Sequence, residues 1–147
     1  MATVARLRGA GSTGQTTTLK LLIEELKNLG AKELLSHANS DYKAVTNDII
    51  VKLDFNGVII GITTAGDTEG SLQFGYDKLD IDCDIYIFAC RTKGATNSWI
   101  DNNFSNCRSV IYEKWGIYDT DSTNLQSMRN AANKAQVDSL IDLIKHL

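Results

Sequence analysis

The chain contains no proline among its 147 residues. Its turns must therefore depend on glycine, asparagine and aspartate, and a switch based on a cis-proline bond is excluded. Cysteine is also scarce: Cys83, Cys90 and Cys107 lack the spacing of a metal site, and their odd number argues against a complete set of disulfides. We therefore expect reduced thiols in a cytoplasmic protein.

An excess of one charge and long apolar runs are lacking as well. The formal net charge is −3 and the basic residues are scattered, which gives no signal for a nucleic-acid partner. No apolar run reaches the ~20 residues of a membrane helix, and the first residues lack the apolar segment of a signal peptide. The composition, 43% hydrophobic and 22% charged, is typical of a globular protein, and the length predicts a single domain over residues 1–147.

The most informative segment is the glycine-rich run from Gly9 to Thr17, GAGSTGQTT. It follows residues 3–8, whose alternation of apolar and polar side chains predicts a strand. It precedes apolar residues at intervals of three and four, which predict a helix that ends near Gly30. The predicted apolar face of this helix consists of Leu19, Leu22, Ile23, Leu26 and Leu29. A strand, a glycine-rich loop and a helix in this order are the setting of a phosphate-binding loop.

The rest of the chain alternates between strand and helix patterns. Asn56-Gly57 separates two apolar runs, 49–55 and 58–63, and predicts a two-residue hairpin turn because both turn residues must adopt positive φ. Further strands are predicted at 85–90 and 109–115. Short helices are predicted at 32–38, at 71–79 and from residue 96 or 97, and a long helix at 121–147. The fold class is α/β, with a mostly parallel sheet of about five strands, one antiparallel hairpin and helices on both faces.

One residue of the loop departs from the phosphate-binding pattern G-x-x-x-x-G-K-[ST], because Gln15 occupies the lysine position. The glycines still allow a tight turn, and the start of the following helix favours an anion. Glutamine donates hydrogen bonds but carries no charge. An ion pair at about 4 Å is worth about 4 kcal/mol at an effective dielectric near 20, before desolvation. We therefore expect weakened triphosphate binding and a greater loss of hydrolysis.

Residues 9–19 and their flanking elements resemble the Walker A region of P-loop nucleoside triphosphatases. The run 14–19, Gly-Gln-Thr-Thr-Thr-Leu, is similar to the Gly-Lys-Thr-Thr-Thr-Leu form of that region. The segment 63–67, Thr-Thr-Ala-Gly-Asp, more weakly resembles the Asp-Thr-Ala-Gly-Gln segment of Ras-like GTPases, but it lacks the aspartate and the glutamine. The Asn-Lys-x-Asp motif for guanine is also missing, so GTP specificity is not implied.

The P-loop resemblance implies a three-layer fold that binds ATP or GTP with Mg²⁺. It assigns the hydroxyl group that binds Mg²⁺ to Thr16. The nucleotide contacts that it implies are Gly9, Gly11, Ser12, Thr13, Gly14, Gln15, Thr16 and Thr17.

Charged residues also follow the predicted strands, at the edge where open α/β sheets bind ligands. Asp67 is a candidate Mg²⁺ ligand, and an ordinary turn aspartate is an equal alternative. Arg91 and Lys93 are candidate catalytic residues that replace the missing charge or stabilise a transition state, with solvated loop charges as the alternative. Trp115 and Tyr118 follow the last strand, and we interpret them as packing residues of the core or its rim rather than as a stack for a nucleobase.

The sequence thus predicts a nucleotide-binding domain with weak or no hydrolysis. One alternative is an active nucleoside triphosphatase or small kinase that uses Arg91 or Lys93 in place of the lysine. A second is a non-catalytic doubly wound domain that binds another phosphate-containing ligand, such as a flavin mononucleotide. A protein partner or a homo-oligomer also remains open, and the sequence does not choose between ATP and GTP.

Overall fold

The structure is a computed structural model that describes residues 2–10, 14–38, 48–80 and 82–147. These residues form an α/β fold in which one mixed sheet of six strands is accompanied by four helices. The strands are β1 (Thr3–Arg8), β2 (Lys32–Ala38), β3 (Ile49–Phe55), β4 (Val58–Thr63), β5 (Ile85–Cys90) and β6 (Arg108–Glu113). The helices are α1 (Gln15–Asn28), α2 (Glu69–Leu79), α3 (Ala95–Asn103) and α4 (Leu125–Lys145).

The strand order is β2-β3-β4-β5-β1-β6. The four strands β4, β5, β1 and β6 are parallel, whereas β3 runs antiparallel to both β2 and β4. The carboxyl ends of the parallel strands therefore meet at one edge, and the start of β3 lies at that edge too. Strand β1 lies between β5 and β6, so Gly9, which follows β1, borders the ends of these two strands.

The predicted hairpin between β3 and β4 is confirmed. Asn56 and Gly57 have φ values of 52° and 88°, and Phe55 pairs with Val58 across the turn. The Asp54 carboxylate accepts a hydrogen bond of 2.9 Å from the backbone N–H of Gly57. Local residues are sufficient to specify this turn, because its positive φ values suit asparagine and glycine.

The prediction of a short helix at residues 32–38 is wrong. This segment is strand β2, which lies at the edge of the sheet and pairs with β3. The register shifts between Glu33 and Leu35, and this irregularity interrupts the alternation that would reveal a strand. Leu34 is 54% exposed. The sheet accordingly has six strands in the described residues rather than about five.

Two hydrophobic clusters fill the core. Leu7 and Ile87 belong to the first cluster, together with buried residues of α1 and α4. Val4 and Phe88 belong to the second, together with residues of α2 and α3. Successive strand residues point to opposite faces, so these alternating positions assign α1 and α4 to one face of the sheet and α2 and α3 to the other.

Most of the predicted helix α1 face is buried, but Leu29 is 50% exposed because the last turn ends at Asn28. Gly30 follows with φ 103°, as expected of a helix stop. Helix α2 begins at Glu69 rather than at 71, and Thr68 and Ser71 form a capping box there. Helices α3 and α4 begin at residues 95 and 125 rather than at 96 or 97 and at 121. None of the helices in the described ranges is long and apolar enough to cross a membrane.

Candidate functional site

A cleft of about 470 Å³ lies where α1 begins and where β4 and β5 end. It brings several of the sequence-predicted residues together. Its lining consists of Gly14, Gln15, Thr16, Thr17, Asp48, Thr64, Gly66, Asp67, Ala89, Cys90 and Arg91. Gly11, Ser12 and Thr13 are outside the described residues, and the backbone N–H of Gly9 donates to the Cys90 carbonyl at 3.0 Å.

The start of α1 lines this cleft. Gly14 is the N-cap residue in a left-handed conformation, with φ 92° and ψ 21°, and within the described residues it has no side-chain capping hydrogen bond. The first turn contains no acidic residue. The first backbone N–H groups of a helix have no partner within the helix, and its dipole adds partial positive charge. This end of α1 therefore suits an anion.

Gln15 does not occupy the role that a lysine would have. Its Nε2 atom donates to the carbonyl oxygens of Leu7 at 3.0 Å and Cys90 at 2.6 Å. These two bonds use both N–H donors of the amide. The side chain therefore joins the ends of β1 and β5 and leaves no amide donor for a ligand in the cleft.

Thr16 forms a cluster of oxygen atoms with Asp48 and Thr64. The hydroxyl groups of Thr16 and Thr64 donate to Asp48 Oδ1 at 3.2 Å and 2.8 Å. The backbone N–H of Ile49 donates to Thr64 Oγ1 at 3.0 Å, which fixes the start of β3 beside the end of β4. Carboxylate and hydroxyl oxygens are ligands that suit Mg²⁺. In the described part of the chain, no three His, Cys, Asp or Glu residues form a metal-binding group.

Sequence reasoning missed Asp48, although its position just before β3 held a signal. Because β3 runs antiparallel to β4, a residue that precedes β3 reaches the same edge as one that follows β4. The hairpin was predictable, so this placement was predictable as well.

Asp67 and Arg91 contact each other in the cleft. Asp67 Oδ1 lies 3.2 Å from Arg91 Nη2, and the two side chains are 74% and 42% exposed. Gly66 positions this segment, since a Cβ atom there would lie 1.7 Å from the Ala89 carbonyl oxygen. Only glycine permits such a close approach to the end of β5. Lys93 is exposed and does not line the cleft.

A second cleft, of about 210 Å³, lies on the β6 side of the same helix end. Gly14 and Thr17 line both clefts. Lys114 lines the second and is only 5% exposed. Its Nζ atom donates to Asn133 Oδ1, and burial lowers the pKa of this lysine. No motif identified this lysine, because its position depends on β6 lying next to β1.

Trp115 and Tyr118 also line the second cleft. They are 73% and 78% exposed, so neither lies in the core. The guanidinium of Arg129 stands 5.7 Å from the centre of the Tyr118 ring and donates to the Ile117 carbonyl. Aromatic surface is thus available beside Gly14 and Thr17.

Comparisons with protein-family models, with curated proteins and with solved structures give no match to this chain.

Proposed function

We propose that this chain binds a nucleoside triphosphate, ATP or GTP with Mg²⁺, and hydrolyses it weakly or not at all. The observation that carries the proposal is the start of α1, whose first residues line a cleft of about 470 Å³. The order of β1, glycine-rich segment and α1 supports the P-loop-like, three-layer arrangement that the sequence resemblance implies. The phosphates would contact backbone N–H groups from Gly14 to Thr17.

The oxygen cluster supports the Mg²⁺ part of the proposal. Thr16 and Asp48 would hold the ion, since both offer oxygen atoms at the edge of the cleft. Bound Mg²⁺ would neutralise part of the phosphate charge. Asp67 lines the same cleft, and its carboxylate is 74% exposed, so it is a second candidate ligand.

Weak or absent hydrolysis follows from the contacts of Gln15. Its amide is bound to the strand ends and it carries no charge. Negative charge on a transferring phosphoryl group must be stabilised by groups already in position. At the lysine position this chain provides none.

Arg91 favours the alternative of an active nucleoside triphosphatase or kinase. It lines the cleft, and its partner Asp67 is largely exposed. Exposed ion pairs contribute about 0–1 kcal/mol, so a bound phosphate would easily compete for this guanidinium. Lys93 lacks this support because it lies outside the cleft lining.

Thermal unfolding in millimolar Mg-ATP or Mg-GTP tests the binding. A ligand at 100 times its Kd adds about 2.7 kcal/mol to the free energy of unfolding, so we expect a Tm several degrees higher. Gln15→Lys should increase the shift because it adds the missing charge. If the nucleotide raises the Tm of neither the unaltered protein nor Gln15→Lys, the proposal is overturned. Yellow colour in the purified protein would favour a bound flavin instead.

Phosphate release tests the activity. We expect almost none from the unaltered protein and a measurable increase in Gln15→Lys. A rate on the order of 10 s⁻¹, which is ordinary for enzymes, would contradict weak hydrolysis. If Arg91→Ala then abolished this hydrolysis and Lys93→Ala did not, an active enzyme that uses Arg91 would replace the proposal of weak hydrolysis.

A further inference from the structure

Lys114 is fixed against the start of α1. It directly follows β6, and its backbone N–H donates to the Arg8 carbonyl at 2.7 Å, which continues the pairing of β6 with β1. Its Cε atom is 3.6 Å from the position that a Cβ atom would take on Gly14. The aliphatic part of this lysine therefore lies beside Gly14, the N-cap residue of α1.

The charge of Lys114 lacks a carboxylate partner within the described ranges. Its one polar side-chain contact there is the uncharged Asn133 Oδ1, which also accepts a hydrogen bond of 3.2 Å from Thr18. A lysine ammonium has three donors, so two of them are not used by these described contacts. A buried charge without a counter-ion is costly, and this cost is removed when an anion binds beside it.

We propose that Lys114 binds the phosphate chain of the nucleotide at Gly14 from the β6 side and so supplies the positive charge that is absent at position 15. The inference rests on the proposed nucleotide binding. Gly14 and Thr17 line both clefts, so one ligand that extends across the end of α1 meets the helix and Lys114 together. In a buried setting, an ion pair is screened less than on the surface, which makes this lysine more effective than Arg91, whose side chain is 42% exposed.

Isothermal titration with Mg-ATP and with inorganic triphosphate tests the inference in Lys114→Met. We expect the affinity for both ligands to fall about tenfold or more, because the loss of one favourable charge contact is worth at least about 1.4 kcal/mol. Lys145→Met is the matched control, since it removes the same charge from the exposed end of α4 and should leave both affinities unchanged.

Lys114→Gln provides a second variant that retains an N–H donor for Asn133 and lacks the charge. It should lose affinity as Lys114→Met does, whereas a lysine needed only for that hydrogen bond would be replaced without loss. The free energy of unfolding of Lys114→Met should stay equal or rise, because an apolar side chain removes a buried charge. A variant that unfolds more easily and binds normally would show a purely structural role.

The outcomes distinguish the two levels of the proposal. If the unaltered protein binds neither ligand, the proposed function fails. If it binds both and the Lys114 variants bind equally well, only the role of Lys114 fails. If the Lys114 variants lost Mg-ATP binding but bound inorganic triphosphate normally, the role of Lys114 would also be overturned. The lysine would then contact the nucleoside rather than the phosphates.

Discussion

The two sides of the α1 start satisfy their polar groups in different ways. On the β5 side, Gln15 binds the carbonyl groups of two strand ends, and Arg91 pairs with Asp67 at the exposed surface. On the β6 side, the buried ammonium of Lys114 has an amide oxygen as its described partner. The β5 side has the uncharged Gln15 at the lysine position of the motif, whereas the β6 side, which no motif marks, holds the buried charge of Lys114.

A missing motif lysine therefore does not mean that positive charge is absent near the start of α1, since Lys114 lines the second cleft there. A charge acts on an anion through its distance and its dielectric surroundings, and neither depends on its position in the sequence. The side chains of Asp67 and Arg91 are 74% and 42% exposed, so water and salt screen their charges. Lys114 is only 5% exposed, so we expect its charge to be screened less than theirs.

The largest effect that we expect comes from Asn133→Leu, which removes the acceptor of Lys114 and of Thr18. The free energy of unfolding should fall by about 2–3 kcal/mol, since a buried ammonium is left without its hydrogen bond. Urea denaturation measures this loss. In the Lys114→Met background the same substitution should cost less than about 1 kcal/mol. Equal costs in the two backgrounds would mean that Lys114 and Asn133 do not depend on each other.

The pH dependence of stability should have opposite signs on the two sides. Burial raises the pKa of Cys90, which lines the β5-side cleft, to about 11. The buried neutral thiol therefore contributes fully to the free energy of unfolding below the ordinary thiol pKa, and this contribution is lost as the pH rises toward 11. Burial lowers the pKa of Lys114. The charged lysine therefore reduces the free energy of unfolding below that lowered pKa. This reduction disappears as the pH rises toward about 10.4, the usual pKa of lysine.

Denaturation at pH 8 and at pH 10 measures both effects. The stability difference between the unaltered protein and Cys90→Ala should shrink at the higher pH, by on the order of 1 kcal/mol. Between pH 8 and pH 10 the unaltered protein should gain stability relative to Lys114→Met. Cys83 has a pKa raised to about 11 as well, but it is present in every variant and its effect cancels. If both stability differences changed in the same direction, the contrast between the β5 side and the β6 side of α1 would disappear.

The smallest effect should come from Asp67→Asn. Its carboxylate is 74% exposed and pairs with a guanidinium that is 42% exposed, so the free energy of unfolding should change by less than about 0.5 kcal/mol. Denaturation in urea is again the measurement, and the comparison with Asn133→Leu sharpens the difference between surface and buried charge. A loss near 2 kcal/mol would show that this pair is a structural part of the cleft.

Local sequence was sufficient for several features of the fold. Asn56 and Gly57 specify the hairpin, Gly30 ends α1, and the spacing of Leu19, Leu22 and Leu26 gives the buried face of that helix. Each of these depends on residues a few positions apart. The strand that precedes the glycine-rich segment and the helix that follows it were predictable for the same reason.

Other features depend on elements that are distant in the sequence. Residues 32–38 form a strand because β3 offers an edge, and their own pattern does not show it. Gln15 finds the Cys90 carbonyl because β5 lies beside β1, and Lys114 reaches Gly14 because β6 lies on the other side. The sequence alone therefore determined that glutamine occupies the position where the phosphate-binding pattern has lysine. Only the tertiary structure decided where a buried positive charge lies, because strand order and packing set that distance.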